Sequence, residues 1–241
     1  MISFFHRKNK IRDTAWLSVD MHNHLLPGID DGAVDIGQSF HFIKALWEMG
    51  FSKFVCTPHI FTGLYPNNLE TITAALMDVK AVVMQAGLGI EMCAAAEYMV
   101  DETFKVKDNL LCLPGQHVLI EMSYLAEMPN IEQVIFDLQL MGFKPVIAHP
   151  ERYAYYHKNA VRYQRLKDMG VLFQLNLLSV SGYYGKAVKL AAGQLMKEKR
   201  YDFAGTDLHH LHHLRSLQEL VFSGRLFELI GHYSFKNKEL F

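Results

Sequence analysis

LSVDMHNHLLPGIDDG, residues 17–32, starts as a short apolar run and ends in two adjacent aspartates and a glycine. LSVDMH (17–22) has the composition of a strand, and in a strand residues i and i+2 point the same way. His22 and His24 therefore aim at one place. Six further runs of this kind follow: KFVCTPH (53–59), IEMCAAAE (90–97), HVLIEMS (117–123), KPVIAHP (144–150), VLFQLN (171–176) and YDFAGTD (201–207). Longer stretches with helical spacing lie between most of them, at 35–50, 67–87, 130–142 and 187–200. Gly50, Gly87 and Gly142 fall where helices would stop. Near-continuous apolar strands alternating with helices predict an α/β fold with a parallel sheet. Seven such units in 241 residues predict a small α/β barrel, with an open doubly wound sheet as the alternative. No proline- or serine-rich linker, repeat or low-complexity block divides the chain, so 1–241 reads as a single domain in which 1–16 is an N-terminal extension.

In α/β barrels the chemistry lies at the C-terminal ends of the strands. His22 and His24 end the first predicted strand, His59 the second, Glu97 the third and Glu121 the fourth. His149 ends the fifth, and Asp207 with His209 ends the seventh. The sixth, ending at Asn176, offers no ligand. Any one of these residues alone reads as an ordinary capped or solvated side chain. Their common placement at strand ends points to a metal centre. Imidazole and carboxylate without thiolate suit zinc, manganese or iron. One ion takes about four to six ligands, so this set implies two or three ions, with Glu97 as the bridge. Metal binding lowers the pKa of water from 15.7 to about 7, which supplies a hydroxide nucleophile for phosphate esters or amides. HPERY (149–153) favours phosphate, because the Arg152 guanidinium fork matches phosphoryl oxygens. The competing reading of Arg152 is an ion pair with Glu151 or another acid. Arg215 is a second phosphate-binding candidate, against a helix-surface salt bridge.

The net charge is -1 and the pI is near 6.9, which argues against a protein that coats nucleic acid. Three scattered cysteines form no disulfide framework and fit a reducing cytoplasm. No run approaches the length of a membrane span, and MISFFHRKNK lacks the order of a signal peptide.

HNH (22–24) with IDDG (29–32), TPH (57–59), AAE (95–97), IEMS (120–123), AHPER (148–152) and GTDLH (205–209) resemble the PHP phosphoesterase superfamily. More closely, they resemble the bacterial metal-dependent protein-tyrosine phosphatases of capsule and exopolysaccharide operons, the CpsB/YwqE type. The resemblance runs from about residue 19 to about residue 220. It implies a distorted TIM-like (β/α)7 barrel of the PHP type and a three-metal centre. Carried over by position, one ion takes His22, His24, Glu97 and Asp207. A second shares Glu97 and adds Glu121 and His149. A third takes Asp31, His59 and His209, while Asp30 shapes the turn. Arg152 and Arg215 would hold the phosphate. Tyrosinate is a fair leaving group with a pKa near 10, so no general acid is named.

The implied substrate is the phosphorylated tyrosine-rich tail of a membrane-bound bacterial tyrosine kinase that controls polysaccharide export. The implied location is the cytoplasm near the inner membrane face; FFHRK (4–8) could aid membrane association, against the favoured reading of a frayed terminus. Phe61, Tyr65, Tyr153, Tyr155, Tyr156, Tyr183 and Tyr184 follow strand ends and are expected at an apolar mouth, against ordinary packing. HHLHHLR (209–215) departs from the pattern, with His210, His212 and His213 expected as exposed helix residues, against a place on the rim of the site. Cysteine-based phosphatase chemistry needs arginine six residues after a cysteine, whereas Cys56, Cys93 and Cys112 are followed there by Thr62, Met99 and Val118. The remaining alternatives are a small-molecule phosphatase such as a histidinol phosphatase, and a non-catalytic metal-binding module. The complete ligand set argues against the second. No oligomeric interface is legible.

Overall fold

A computed structural model describes residues 10–241, so the FFHRK segment lies outside the described residues. The chain runs β1 (Val19–Asp20), α1 (Ile36–Glu48), β2 (Lys53–Cys56), β3 (His59–Ile60), α2 (Leu69–Gln85), β4 (Glu91–Ala94), β5 (Glu97–Met99), β6 (His117–Glu121) and α3 (Ile131–Leu140). It continues through β7 (Lys144–Ala148), α4 (Ala160–Asp168), β8 (Leu172–Asn176), α5 (Lys186–Lys197), β9 (Phe203–Gly205), α6 (Leu211–Phe222) and α7 (Arg225–Ile230). No helix among the described residues is long and apolar enough to cross a membrane.

The helices start and stop for local reasons. The Asp35 carboxylate accepts from Gln38 N at 2.8 Å and opens α1. Asn68 and Thr71 form a reciprocal capping box at the start of α2. Gly50, Gly87 and Gly142 end α1, α2 and α3 at φ of 107°, 67° and 84°, a region open to glycine at little cost. Helix α4 was not expected from the sequence. Its polar run AVRYQRLKD buries only Tyr163 and Leu166, so the apolar spacing is too thin to read.

All strand pairs are parallel, as predicted, but the ladder is divided into two sheets. One has the order β1-β2-β4 and the other β3-β5-β6-β7-β8-β9. Two expected strands each break in two, KFVCTPH at Thr57-Pro58 and IEMCAAAE at Ala95-Ala96. Proline cannot donate to a ladder. Pro58 instead offers its carbonyl to Glu97 N at 3.1 Å, and the chain re-enters as β3 beside β5. His59 and Glu97 therefore begin strands instead of ending them, and they face each other in register. No ladder joins β9 to β1. Single contacts span the gap: Asp207 N donates to His22 O at 2.8 Å, and Thr206 N donates to the Asp20 carboxylate at 2.9 Å. The fold is thus α/β with two parallel sheets, neither one continuous barrel ladder nor one open sheet.

Alternate strand residues separate two cores. Val19, Val55, Leu119, Val146 and Phe203 form a small inner cluster. Phe54, Ile120, Ile147, Phe173 and Leu175 belong to the larger cluster shared with the helices. On β8 this alternation sets Gln174 and Asn176, both fully buried, opposite in phase to Phe173 and Leu175.

Candidate metal centre

The residues predicted at strand ends converge on Glu97. Its Oε2 lies 3.2 Å from His22 Nε2, 3.2 Å from His59 Nδ1 and 3.4 Å from His24 Nε2. Its Oε1 lies 3.4 Å from His149 Nε2. Asp207 Oδ1 is 3.4 Å from His22 Nε2, 3.5 Å from His24 Nε2 and 3.4 Å from His209 Nδ1. Glu121 Oε1 is 3.5 Å from His149 Nε2 and accepts from the Tyr124 hydroxyl at 2.5 Å. Asp31, at the exposed edge, is 3.6 Å from His59 Nε2 and from His209 Nε2.

These side chains are aimed by neighbours. His22 Nδ1 meets Gln174 Oε1 at 2.9 Å, and the same oxygen accepts from His149 N at 3.1 Å. That oxygen can only accept, so His22 carries its neutral-state proton on Nδ1 and turns the Nε2 lone pair inward. His24 Nδ1 sits 2.7 Å from the Asp30 carboxylate, which also accepts from Gly32 N and His59 N, each at 3.0 Å. Asp30 thus shapes the turn, as expected, and also orients a histidine. Gly32 is required here by close approach, because a Cβ would lie 2.1 Å from His24 O.

Buried charge sets the protonation. Burial opposes ionisation of Glu97, but the surrounding imidazoles hold its carboxyl well below the usual range. Asp207 is likewise held low, by His22 and His209. Burial pushes His22 down, yet Glu97 and Asp207 outweigh it and raise the imidazole to about 9. Burial and the Glu97 charge push Glu121 up to about 8. Burial and the Arg152 charge bring His149 down to about 4.

Both Glu97 carboxylate oxygens and His149 Nδ1 are buried without a hydrogen-bond partner among the described residues. A buried carboxylate left in that state is costly unless a cation meets it. Three overlapping sets have ligand atoms within 4.8 Å of one another: His24, Asp31, His59, His209; His22, Glu97, His149, Asp207; and His59, Glu97, Glu121. Imidazole nitrogen and carboxylate oxygen without sulfur fit divalent zinc, manganese or iron. The nine residues predicted from the sequence are all brought together. The grouping differs from the one carried over by position, since His24 falls with Asp31 and His149 falls with His22.

The centre floors an open cleft of about 230 Å³, walled by Phe61, Leu64, Tyr65 and Tyr124. Arg152 reaches in from one side. Its Nη1 donates to Asp207 Oδ2 at 2.8 Å, and its guanidinium sits between the rings of Tyr124 (4.7 Å) and Tyr184 (4.4 Å). The competing ion pair does form, but with Asp207 and not with Glu151. Glu151 is buried, accepting from Asn176 N at 3.0 Å and from the Tyr201 hydroxyl at 2.9 Å. Arg215 is not brought to the cleft and lies on the exposed side of α6. Among the expected aromatics, Phe61 and Tyr65 line the mouth and Tyr184 stacks on Arg152, whereas Tyr153 and Tyr156 are core. His213 corrects the expected exposure. It is buried 3.4 Å from the Tyr184 hydroxyl, while His210 caps α6 and His212 is exposed.

Tyr124 and Gln174 were missed from the sequence. A glutamine inside the buried run VLFQLN was the available signal for the second, because a polar side chain there must find partners.

The sequence model of the family described as capsular polysaccharide synthesis, CpsB/CapC, matches residues 18–218. The tyrosine-protein phosphatase YwqE of Bacillus subtilis is 29% identical over 197 residues, covering 80% of this chain and 78% of that protein. The tyrosine-protein phosphatase CpsB of Streptococcus pneumoniae is 27% identical over 199 residues, covering 80% of each. Among solved structures, one from a study of YwqE and CpsB as unique metal-dependent tyrosine phosphatases superposes with a TM-score of 0.75 at 26% identity. That match covers 88% of this chain and 90% of the other.

Proposed function

The chain belongs to the CpsB/CapC capsular polysaccharide synthesis family, and on that premise we propose that it is a metal-dependent protein-tyrosine phosphatase. The observation that carries the reading is the Glu97 carboxylate, ringed by imidazoles, with both oxygens lacking a hydrogen bond at the floor of an aromatic-walled cleft. His22, His24, Asp31, His59, Glu97, Glu121, His149, Asp207 and His209 would hold two or three divalent cations. When bound, these would supply Lewis acidity and a water acidic enough to ionise near neutral pH.

The chain's own residues do the rest. Asp207 and the two tyrosine rings fix the Arg152 guanidinium, leaving its other N–H donors for phosphoryl oxygens. These charge-assisted bonds strengthen as charge gathers on the phosphoryl group. Phe61, Leu64 and Tyr65 offer an apolar wall for the phenyl ring. The leaving tyrosinate, with a pKa near 10, needs no strong acid.

The physiological substrate in this reading is the tyrosine-phosphorylated tail of a membrane-bound bacterial kinase that controls polysaccharide export, met at the inner face of the membrane. The family's place in capsule synthesis supports that assignment. The two parallel sheets are then the distorted seven-unit barrel of the PHP type, with its ladder interrupted.

Phosphate release from a phosphotyrosine peptide tests the proposal, comparing metal-stripped protein with protein reloaded with manganese, zinc or iron. A phosphoserine peptide and histidinol phosphate are the competing substrates. Metal-dependent release selective for phosphotyrosine, and lost in His149→Ala, is expected. Preference for histidinol phosphate would overturn the substrate, and no turnover with any metal would overturn the enzyme.

A further inference from the structure

A second cleft opens beside the first. It encloses about 510 Å³ between the segment after β5 and the loop after β6, within the range of about 300–1,000 Å³ typical of ligand sites. Phe61, Met99 and Tyr124 line both clefts, so the two form one continuous trough. Leu125 and Met128 add apolar surface to the second part. The Leu125 side chain is 93% exposed there. Such exposure next to other apolar groups marks a surface that meets a partner.

The rim carries acids. Asp101, Glu102 and Glu127 all border the second cleft. Glu127 is committed, accepting from the Tyr156 hydroxyl and pairing with Arg162. The Asp101 carboxylate turns back onto Thr103 N at 2.8 Å. Neither Asp101 nor Glu102 has an ion-pair partner among the described residues. Lys105 and Lys107, the nearest cations along the segment, line a different cleft.

We propose that this second cleft receives the residues flanking the phosphotyrosine of a protein substrate, and that it selects an apolar side chain together with a lysine or arginine. The inference rests on the phosphatase reading above. It makes the trough a reader of sequence around the reacting residue. The apolar floor holds one neighbour, and the uncompensated negative rim draws a basic one while repelling an acidic one.

The test compares kcat/KM of metal-reloaded protein on three phosphotyrosine peptides, with flanks of Leu and Lys, Leu and Glu, or Ser alone. Phenyl phosphate, which cannot reach the second cleft, is the fourth substrate. The Leu–Lys peptide should exceed the Leu–Glu peptide by about threefold to tenfold, as expected for exposed charge pairs switched from attraction to repulsion. In about 0.5 M salt the ratio should fall toward one. Glu102→Lys should flatten or invert it. Leu125→Ser should bring the Leu–Lys peptide toward the Ser-only one. Both side chains are exposed, so neither change endangers folding. Equal kcat/KM for all three peptides alongside measurable phenyl phosphate turnover would overturn this inference and leave the phosphatase reading standing. A ratio that Glu102→Lys leaves unchanged would also overturn it. No turnover of any of the four substrates would overturn both.

Discussion

Gln174→Met removes one carboxamide that ties two candidate ligands together, and nearly conserves volume. The Gln174 side chain makes three contacts: Oε1 to His22 Nδ1 at 2.9 Å, Oε1 from His149 N at 3.1 Å, and Nε2 to Leu175 O at 2.7 Å. The residue is fully buried, so water cannot replace them. Each orphaned polar group costs about 1–3 kcal/mol. The Leu175 carbonyl retains a second lone pair, so two orphans count in full, His22 Nδ1 and His149 N. The sum is about 2–6 kcal/mol, reduced by the favourable burial of the Met side chain. A loss of about 2–4 kcal/mol in urea unfolding of the metal-stripped protein is expected. The same change frees the His22 tautomer and ring orientation, and loss of an orienting partner weakens metal affinity by about 10–100-fold. Competition with a chromophoric chelator measures that directly. The decisive comparison is between the two readouts. Stability lowered by this amount with metal affinity within twofold of wild type would refute the claim that Gln174 orients the centre, and would leave it as a core hydrogen-bonding residue.

Arg152→Lys keeps the charge but loses the fork, and kcat/KM toward a phosphotyrosine peptide should drop by about 10²-fold, read by phosphate release. Stripping the metal should lower Tm, with recovery on adding back divalent cation, because saturation at about 100 times Kd contributes about 2.7 kcal/mol; an unshifted Tm would deny specific binding. Gly32→Ala puts a Cβ 2.1 Å from His24 O and should cost about 1–3 kcal/mol or more in denaturant unfolding, with weakened metal binding because the turn carries Asp30 and Asp31. The Asp202 carboxyl lies below its usual range, since Lys167, Lys236 and the Phe173 N–H favour its charged form despite partial burial. Its contribution is therefore present above the unfolded value near 3.9 and lost as pH falls through the lower folded value, so the stability gap between wild type and Asp202→Asn should narrow below about pH 4.

The local rules were legible in the sequence because they act over a few residues. The three stop glycines act within one turn of chain and close the helices at 36–48, 69–85 and 131–140, while the helix at 186–197 shows through its apolar spacing alone. Eight of the candidate ligands were legible because each sits beside an apolar strand run, whereas Asp31, in the IDDG turn, came only from the family resemblance. What stayed hidden depends on distant partners. Gln174 meets His22 across 152 residues, and Arg152 meets Asp207 across 55. No spacing pattern encodes such pairs. The strand breaks were hidden for a related reason. In KFVCTPH the available signal was Pro58, which cannot donate to a ladder, but only the register of His59 against Glu97 shows that the chain re-enters as a second strand.

Those breaks place the centre where the sheet ladder fails. β1 and β9 do not pair, and the β2–β3 and β4–β5 junctions leave backbone groups outside any ladder. A gap of this kind in a buried region would be costly unless other groups satisfied the backbone. Side chains take over. The Asp20 carboxylate accepts from Thr206 N and its hydroxyl at 2.9 and 2.7 Å. Asn23 donates to Val55 O at 3.2 Å, and Thr57 Oγ1 accepts from Asn23 N at 3.1 Å. Asn237, from the far end of the chain, donates to Val19 O at 2.9 Å and to Ala204 O at 2.6 Å, and accepts from Ala204 N at 3.0 Å. A continuous ladder would hold neighbouring strands at about 4.8 Å with side chains alternating in and out. With the ladder interrupted, His22, His59, Glu97 and Asp207 all turn toward one point. The buried Asp, Asn and Thr residues around the break are thus part of the site's construction although none of them faces the cleft.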